Sequence, residues 1–250
     1  MPGTTSTTRR AAAALFAFAA LAPAAFGVAA QDATPAARQA AIAPGVLESD
    51  EGLATCEASE LGSLPAGTEA DAVYQIVSDE SIARYRVKEE LAQVGETEAV
   101  GETRAIIGVV AFDANGAPLP CSRFDVDMRT LQSDQARRDN YLYNNTLETE
   151  KYPLATFVLR GVDGLDGALP DGEETTFTLL GDFTVHGETR PMAWEAIATR
   201  DGDALTGTAN TTFQMPDFGI EPPSVPVVLS LEETVRLEVE LTATLAEPAS

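Results

Sequence analysis

Two stretches of the sequence decide the fold: RDNYLYNNTLETEKYPLATF at residues 138–157 and GDFTVHGETRP at residues 181–191. In the second stretch, apolar and polar residues alternate up to His186 and Gly187, which is typical of a β-strand that ends in a tight turn. In the first stretch, this alternation is absent up to about Thr146. We therefore expect strands joined by short turns, with one interruption.

The alternation extends over most of the chain from Tyr74 onward. Apolar residues occupy every second position in four further runs: Tyr74, Ile76, Ala83, Tyr85 and Val87; Phe124, Val126 and Met128; Met192, Trp194, Ala196 and Ala198; and Val235, Leu237, Val239 and Leu241. Because the intervening positions are mostly polar, each strand should have one buried side and one side in water. Short Gly-containing turns favour an antiparallel meander, and closure into a barrel would remove its exposed edges.

The segment from Ser133 to about Thr146 interrupts the strand pattern. Ser133 is a suitable N-cap for a helix, with Asp134 in its first turn. We expect one short helix or ordered loop there, lying over an end of the barrel.

The first thirty residues have the features of an export signal. Arg9 and Arg10 end a polar start, an apolar Ala-rich run covers residues 11–25, and small residues at 28–30 fit cleavage before Gln31. The apolar run is short for a membrane span, although a retained N-terminal anchor is the alternative. The sequence predicts a signal peptide at residues 1–30, a periplasmic or extracellular protein, and no stable membrane insertion.

Residues 31–71 are rich in Ala, Pro, Gly, Ser and acidic residues and have no apolar period. They predict a flexible acidic N-terminal arm in front of a β-barrel domain at residues 72–247. The two cysteines, Cys56 and Cys121, favour a disulfide in an oxidising compartment, with two unpaired thiols as the alternative. A bridge would attach the arm to the barrel.

The formal net charge of -23 at pH 7 limits the classes of partner. This charge repels phosphate backbones and anionic lipid headgroups, which argues against nucleic acid and against electrostatic docking to membranes. Solubility alone is enough to explain it. The sequence leaves protein partners open.

The chain has few residues suited to catalysis. Its one histidine, His186, precedes Gly187 in a predicted hairpin turn, and no second histidine is available for a zinc site. The acidic pairs Asp125/Asp127 and Asp201/Asp203 lack the spacing of a calcium loop, so we expect them on solvated faces. We predict no catalytic residue, no metal site and no cofactor, hence a protein that is not an enzyme.

Several motifs in a fixed order carry a resemblance to a known family. They are the first apolar run from Tyr74 to Val87, then Arg138-Asp139, Lys151-Tyr152-Pro153, the stretch 181–191, and finally Asp217-Phe218-Gly219. With these motifs, residues 74–246 resemble the YceI-like family of exported lipocalin-like barrels.

The sequence also departs from that family's pattern. Val77 and Glu80 stand where family members often carry Asp and His, and Gln214, Met215 and Pro216 stand where many place an Arg. If those polar residues shape the cavity mouth in relatives, ligand recognition differs here.

The resemblance implies an all-β, antiparallel, lipocalin-like β-barrel of about eight strands with one short helix. It also implies an apolar tunnel that holds a polyisoprenoid, an isoprenoid quinone or another long-chain lipid for transport or storage. The candidate ligand-binding residues of the tunnel wall or mouth are Phe124, Val126, Met128, Tyr141, Leu142, Phe157, Phe183, Trp194, Phe213 and Phe218. Ordinary core packing is the alternative for each of them.

Two further alternatives remain open at this point. Arg137 and Arg138 are candidates to meet a lipid head group, or else to form salt bridges with Asp134 or Asp139. For the chain as a whole, the alternative to lipid binding is a non-catalytic exported structural or protein-interaction module whose barrel is fully packed.

Overall fold

The computed structural model describes residues 42–246. The predicted signal peptide at 1–30 and the first part of the predicted arm, residues 31–41, lie outside the described residues. This part of the chain contains thirteen β-strands: β1 (Gly45–Val46), β2 (Ala72–Ile76), β3 (Ile82–Leu91), β4 (Gly95–Thr103), β5 (Ile106–Phe112), β6 (Arg123–Asp127), β7 (Gln132–Ser133), β8 (Leu154–Asp163), β9 (Thr175–Val185), β10 (Glu188–Asp201), β11 (Ala204–Gln214), β12 (Val228–Leu231) and β13 (Thr234–Leu245).

The strands close into an antiparallel barrel of eight staves. The first three staves are bent and consist of β2 with β3, β4 with β5, and β6 with β7. The staves β8, β9, β10, β11 and β13 follow in chain order, and β13 pairs with both β2 and β3 to complete the ring. Apart from this closing pair, neighbours in the ring are also neighbours along the chain, and the predicted eight-stranded lipocalin-like barrel is confirmed.

The predicted short helix is α1 (Ala136–Tyr141), which a π-helical turn at Leu142–Thr146 continues. The prediction that Ser133 caps it is wrong, because Gln135 occupies the cap position. Ser133 instead pairs with Gly101 of β4, and its N–H and hydroxyl both donate to the carboxylate of Asp139. No helix between residues 42 and 246 is long and apolar enough to cross a membrane.

Two clusters of buried side chains occupy the barrel interior. One contains Phe157, Phe183, Trp194, Phe213 and Phe218, whose rings meet mainly edge to face with centroids 4.8 to 6.3 Å apart. The other is built around Tyr74, Ile106, Phe112, Leu169 and Phe177. Edge-to-face contacts add to the free energy of apolar burial, so both clusters support the ring from inside.

Residues 42–71 cross the outside of the barrel. Strand β1 pairs with β10, the N–H of Ala54 donates to the carbonyl of Arg160 on β8, and Arg123 on β6 donates to the carbonyl of Ser59. The N–H of Gly62 then donates to the carboxylate of Asp125, also on β6. This outer segment therefore covers part of the barrel wall that would otherwise face water.

The outer segment changes the environment of Asp125. The prediction that Asp125 lies on a solvated face is wrong. Asp125 is only 1% exposed and accepts hydrogen bonds from Arg123, Thr156 and the Gly62 N–H. Burial alone would raise its pKa, but these three donors outweigh burial and hold the pKa of Asp125 below the ordinary value. Asp201 and Asp203 are exposed, as predicted.

The predicted disulfide between Cys56 and Cys121 is present. It links the outer segment to the loop that precedes β6. The N–H of Cys121 also donates to the carbonyl of Leu159 on β8 at 2.6 Å. The bridge thus attaches residues 42–71 to the barrel at the point where they cross β8.

Replacement of both cysteines (Cys56→Ser with Cys121→Ser) should lower the free energy of unfolding. The bridge joins residues 65 positions apart. A loop of that length predicts a loss of about 4 kcal/mol in the chain-entropy model. Urea denaturation of the oxidised protein and the double variant measures the difference, and hydrogen exchange at Gly62 should accelerate before exchange within the barrel. Unchanged stability in the variant would contradict this role of the bridge.

Asp125→Asn should lower the free energy of unfolding by about 3 kcal/mol at neutral pH, because Arg123 loses its buried partner. Since the folded-state pKa of Asp125 is depressed, its contribution is complete above the ordinary carboxyl pKa of about 3.9 and is lost as the pH falls from there. The difference between wild type and variant should therefore shrink in acid, as denaturation at several pH values will show.

The matched control is Asp127→Asn, two residues along the same strand. Its partner Arg129 has a side chain 59% exposed, so we expect a loss below about 1 kcal/mol. Equal losses in the two variants would refute a special contribution from the covered carboxylate.

Candidate functional site

Two adjacent cavities lie inside the barrel. The first has a volume of about 150 Å³ and reaches Phe112, Pro118 and Leu169 at one end; we call it the loop-side cavity. The second has a volume of about 130 Å³ and reaches Leu142 and Leu147 of the helical segment; we call it the helix-side cavity. Both cavities are bordered by the same five residues, namely Val126, Ala155, Phe183, Trp194 and Val239. They therefore form two consecutive compartments of one interior space.

Small residues on two neighbouring strands leave the space of the loop-side cavity. Ala196 on β10 is paired with Ala209 on β11, and Ala198 is paired with Gly207. All four line this cavity. Because none of them has a side chain larger than a methyl group, they fill less of the interior than the larger residues of this cavity lining would.

The lining of the two compartments is almost entirely apolar. An apolar cavity of about 150 Å³ stays dry and binds a benzene-sized molecule. Each compartment therefore suits a short piece of hydrocarbon, and the two in succession suit a chain. The two compartments can therefore shelter an elongated apolar molecule from water.

Eight of the ten predicted ligand-binding residues line this interior space. They are Phe124, Val126, Met128, Leu142, Phe157, Phe183, Trp194 and Phe213. The structure does not bring Tyr141 or Phe218 to either cavity wall. Ligand binding by the eight residues stays a prediction.

Phe218 belongs to a structural turn at Met215–Phe218. The Gln214 N–H donates to the Asp217 carboxylate, and Gly219 follows with a φ of 62°, a conformation that favours glycine. Phe218 is completely buried, with its ring 4.8 Å from Phe213 and 5.5 Å from Phe183. The Asp-Phe-Gly triplet thus closes a turn and fills the core behind the cavity wall.

Arg138 forms salt bridges at the edge of the helical segment. It bonds Glu89 of β3 at 2.8 Å and also contacts Asp134. Burial alone would lower the pKa of Arg138, but these two carboxylates outweigh it and hold the pKa above the ordinary value. The guanidinium is engaged within the protein, in line with the salt-bridge alternative.

His186 lies in the turn between β9 and β10, as predicted. Its φ of 53° precedes a φ of 80° at Gly187, and its ring nitrogens contact the Phe218 carbonyl at 3.2 Å and Glu148 at 3.3 Å. His186 lines neither cavity. Between residues 42 and 246, no group of three or more His, Cys, Asp or Glu residues could hold a metal ion.

The sequence reasoning missed the contribution of the small residues. Ala196 and Ala198 were recognised as inward-facing but not as the origin of free volume, and Gly207 and Ala209 were not recognised at all. A signal for them does exist, because Leu205, Gly207 and Ala209 continue the alternation along β11, and the two positions after the leucine carry only small residues. A small residue at an inward position is the pattern to search for.

Comparisons with known proteins agree with this barrel. The YceI-like domain model matches residues 74–243. A UPF0312 protein of Shewanella sp. strain ANA-3 is 28% identical over 184 residues, which cover 71% of this chain and 92% of that protein. A UPF0312 protein of Pseudomonas putida strain GB-1 is 34% identical over 125 residues, which cover 45% of this chain and 62% of that protein.

Two solved structures share the fold. BcnA of Burkholderia cenocepacia superposes with a TM-score of 0.54 at 15% identity and covers 68% of this chain and 99% of its own. A domain from Saccharophagus degradans, described as a polyisoprenoid binding domain implicated in plant cell wall breakdown, gives a TM-score of 0.54 at 12% identity, with 69% of this chain and 98% of its own covered. At these identities the likeness establishes the barrel architecture.

Ala196→Leu should fill the loop-side cavity and abolish uptake of a small apolar dye such as N-phenyl-naphthylamine, whose fluorescence rises when it leaves water. The added side chain occupies the free volume opposite the aromatic wall. The matched control is Ala204→Leu, the same change at an exposed position of β11, which should take up the dye like the wild type. Equal dye uptake by both variants would show that the dye binds outside the cavity.

Proposed function

Because the chain belongs to the YceI-like family, we propose that it is an exported, non-catalytic protein that binds a long apolar lipid, a polyisoprenoid above all, inside its barrel. The observation that carries this proposal is the pair of adjacent apolar cavities enclosed by the closed sheet. The described domain from Saccharophagus degradans, a polyisoprenoid binding domain with the same fold, supports the choice of ligand class.

The energetics favour uptake of such a chain. Removing apolar surface from water gains about 25 cal/mol per Å², so a lipid that buries about 400 Å² gains about 10 kcal/mol. Part of this gain is lost to the ordering of the ligand, for which the lower estimates are about 4 kcal/mol. The protein would then act as a carrier, scavenger or reservoir and needs no cofactor.

Two features support export to the periplasm or the cell exterior. The N-terminal thirty residues have the pattern of a secretory signal. The bridge between Cys56 and Cys121 would persist in an oxidising compartment and would be reduced in the cytosol.

A packed interaction module fits the barrel less well. That alternative requires side chains to fill the interior, whereas the two cavities leave space unfilled. An enzyme acting on a lipid would need polar groups that converge on the substrate, and His186 lines neither cavity.

Native mass spectrometry of the protein purified from its own host's export compartment tests the proposal. We expect a stoichiometric apolar ligand that organic extraction releases and identifies as an isoprenoid lipid. The combined variant Ala196→Leu with Ala209→Leu should be isolated empty, whereas Ala204→Leu should retain the ligand. A wild-type protein that is empty and shows no thermal stabilisation by added isoprenoids would refute lipid binding.

A further inference from the structure

Three strands of the sheet continue past the point where their neighbours end. Strand β11 ends at Gln214 and β7 ends at Ser133, whereas β3 continues between β4 and β12. We call this part of the sheet the three-stranded extension; it consists of residues 88–91, 95–100 and 228–231. In the described part of the chain, no other strand pairs with the outer side of β4 or of β12 over these residues.

The two free edges of the extension differ in regularity. Strand β12 has four residues, and its register with β3 shifts between Val228 and Ser230. Short, irregular strands are poor templates for an added strand. Strand β4 pairs with β3 in unbroken register, and β7 pairs with it only at Gly101 and Glu102. Residues 95–100 of β4 therefore form a regular, unpaired edge.

The backbone groups of Glu96, Glu98 and Val100 face this open side. The Lys88 carbonyl accepts a hydrogen bond from the Glu232 N–H, so the backbone of Lys88 points away from β4. Residues that pair across antiparallel strands point their backbone groups either toward each other or both away. Lys88 pairs with Glu98, and the alternation assigns Glu96 and Val100 to the same side. No proline lies in this stretch, so all three N–H groups can donate.

Charged side chains on the outer face of the sheet form columns. Each of two arginines on β3 is shared between a glutamate on β4 and a glutamate on β13. The contacts are those of Arg84 with Glu102 and Glu240, and those of Arg86 with Glu98 and Glu238. Because one guanidinium serves two carboxylates, the acidic column on β4 keeps a net negative charge beside the open edge.

Two glutamates face each other within the extension. Glu90 on β3 is the direct cross-strand partner of Glu96 on β4. Like charges directly opposite each other destabilise a sheet. Lys88, the next outward residue of β3, contacts Glu232 instead, at 3.9 Å. A cation placed on the open side of Glu96 would relieve this repulsion.

These charges distinguish between possible occupants of the edge. A second copy of this chain, paired through the same edge, would bring Glu96 and Glu98 close to the same glutamates of the copy, which is unfavourable. A strand with Lys or Arg at alternate positions would instead place a cation beside each glutamate. Its intervening side chains would lie beside Thr97 and Ala99, whose small side chains leave room for apolar residues.

We propose that residues 95–100 of β4 are a docking edge for an extended, cationic segment of a partner protein. The segment adds to the sheet as a further strand, antiparallel to β4 as β7 is. The backbone of Glu96, Glu98 and Val100 supplies the hydrogen bonds, and the two glutamates select the charge. This interaction does not depend on the lipid inside the barrel.

A fluorescent, end-blocked peptide of six alternating lysines and valines tests the proposal. We expect saturable binding to the oxidised protein, measured by fluorescence anisotropy, that weakens as salt is added. A lysine residue opposite a glutamate directs its own backbone toward β4, so N-methylation of the lysine amides should abolish binding. N-methylation of the valine amides, which face away from β4, should leave it intact. A peptide of glutamate and valine should not bind.

Variants of the edge separate backbone pairing from charge. Val100→Pro removes one N–H from the open side without changing the charge or a bond to β3, and should weaken binding about tenfold. Glu96→Gln with Glu98→Gln should weaken it about fivefold at low salt. The matched control is Glu173→Gln with Glu174→Gln, the same change of net charge at exposed positions, which should bind like the wild type.

Hydrogen exchange followed by NMR locates the added strand. The amides of Glu96, Glu98 and Val100 should exchange more slowly with the peptide bound, whereas those of Thr97 and Ala99, which already face β3, should not change. The proposal is overturned by absence of saturable binding, by equal binding of the glutamate peptide, or by no protection at the three amides. A wild-type dimer that Val100→Pro dissociates would also overturn it, because the edge would then serve a second copy.

Discussion

Closure of the sheet is the constraint on which the rest of this structure depends. The ring is completed where β13 pairs with β2 and β3, so every barrel stave has a neighbour on both sides. The wall therefore satisfies its backbone hydrogen bonds without help from interior side chains. Inward side chains are therefore not needed to hold the sheet together. The barrel tolerates Ala196 and Gly207 at positions where an open sheet would need large side chains to pack against a second layer.

The outer surface is held together by different forces. Residues 42–71 add few large apolar side chains, and they attach through a disulfide and through hydrogen bonds, including those of Arg123 to the Ser59 carbonyl and of the Gly62 N–H to Asp125. Arg160 on β8 takes part in the same way through Asp50 and Asp182. The barrel thus has an apolar interior and a polar attachment on its exterior. This difference follows from the strands of the wall, whose side chains point alternately inward and outward.

The sequence predicts the wall better than it predicts what lies on either side of it. Alternation assigns each side chain of β10 and β13 to the inside or the outside, so most wall residues could be found. It does not reveal what covers an outward residue, and Asp125 therefore looked solvated although a segment distant in sequence buries it. The free volume of the interior likewise depends on residues that face one another from several strands, and alternation along one strand does not reveal it. From the sequence, Phe218 looked like a wall residue. Its turn places it in the core behind the wall, and only tertiary structure distinguishes these two positions.

The order of pairing has a consequence for how the molecule folds. Tyr74 in the first stave pairs with Leu245 in the last, and Gly45 of the outer segment pairs with Ala193. These are contacts of very high sequence separation, which slow folding because loop-closure entropy is lost before the contacts form. A chain that is synthesised progressively from its N-terminus cannot close the ring until its final strand has arrived. During that interval the inward faces of the earlier strands are exposed, and a holding chaperone would shield them from aggregation.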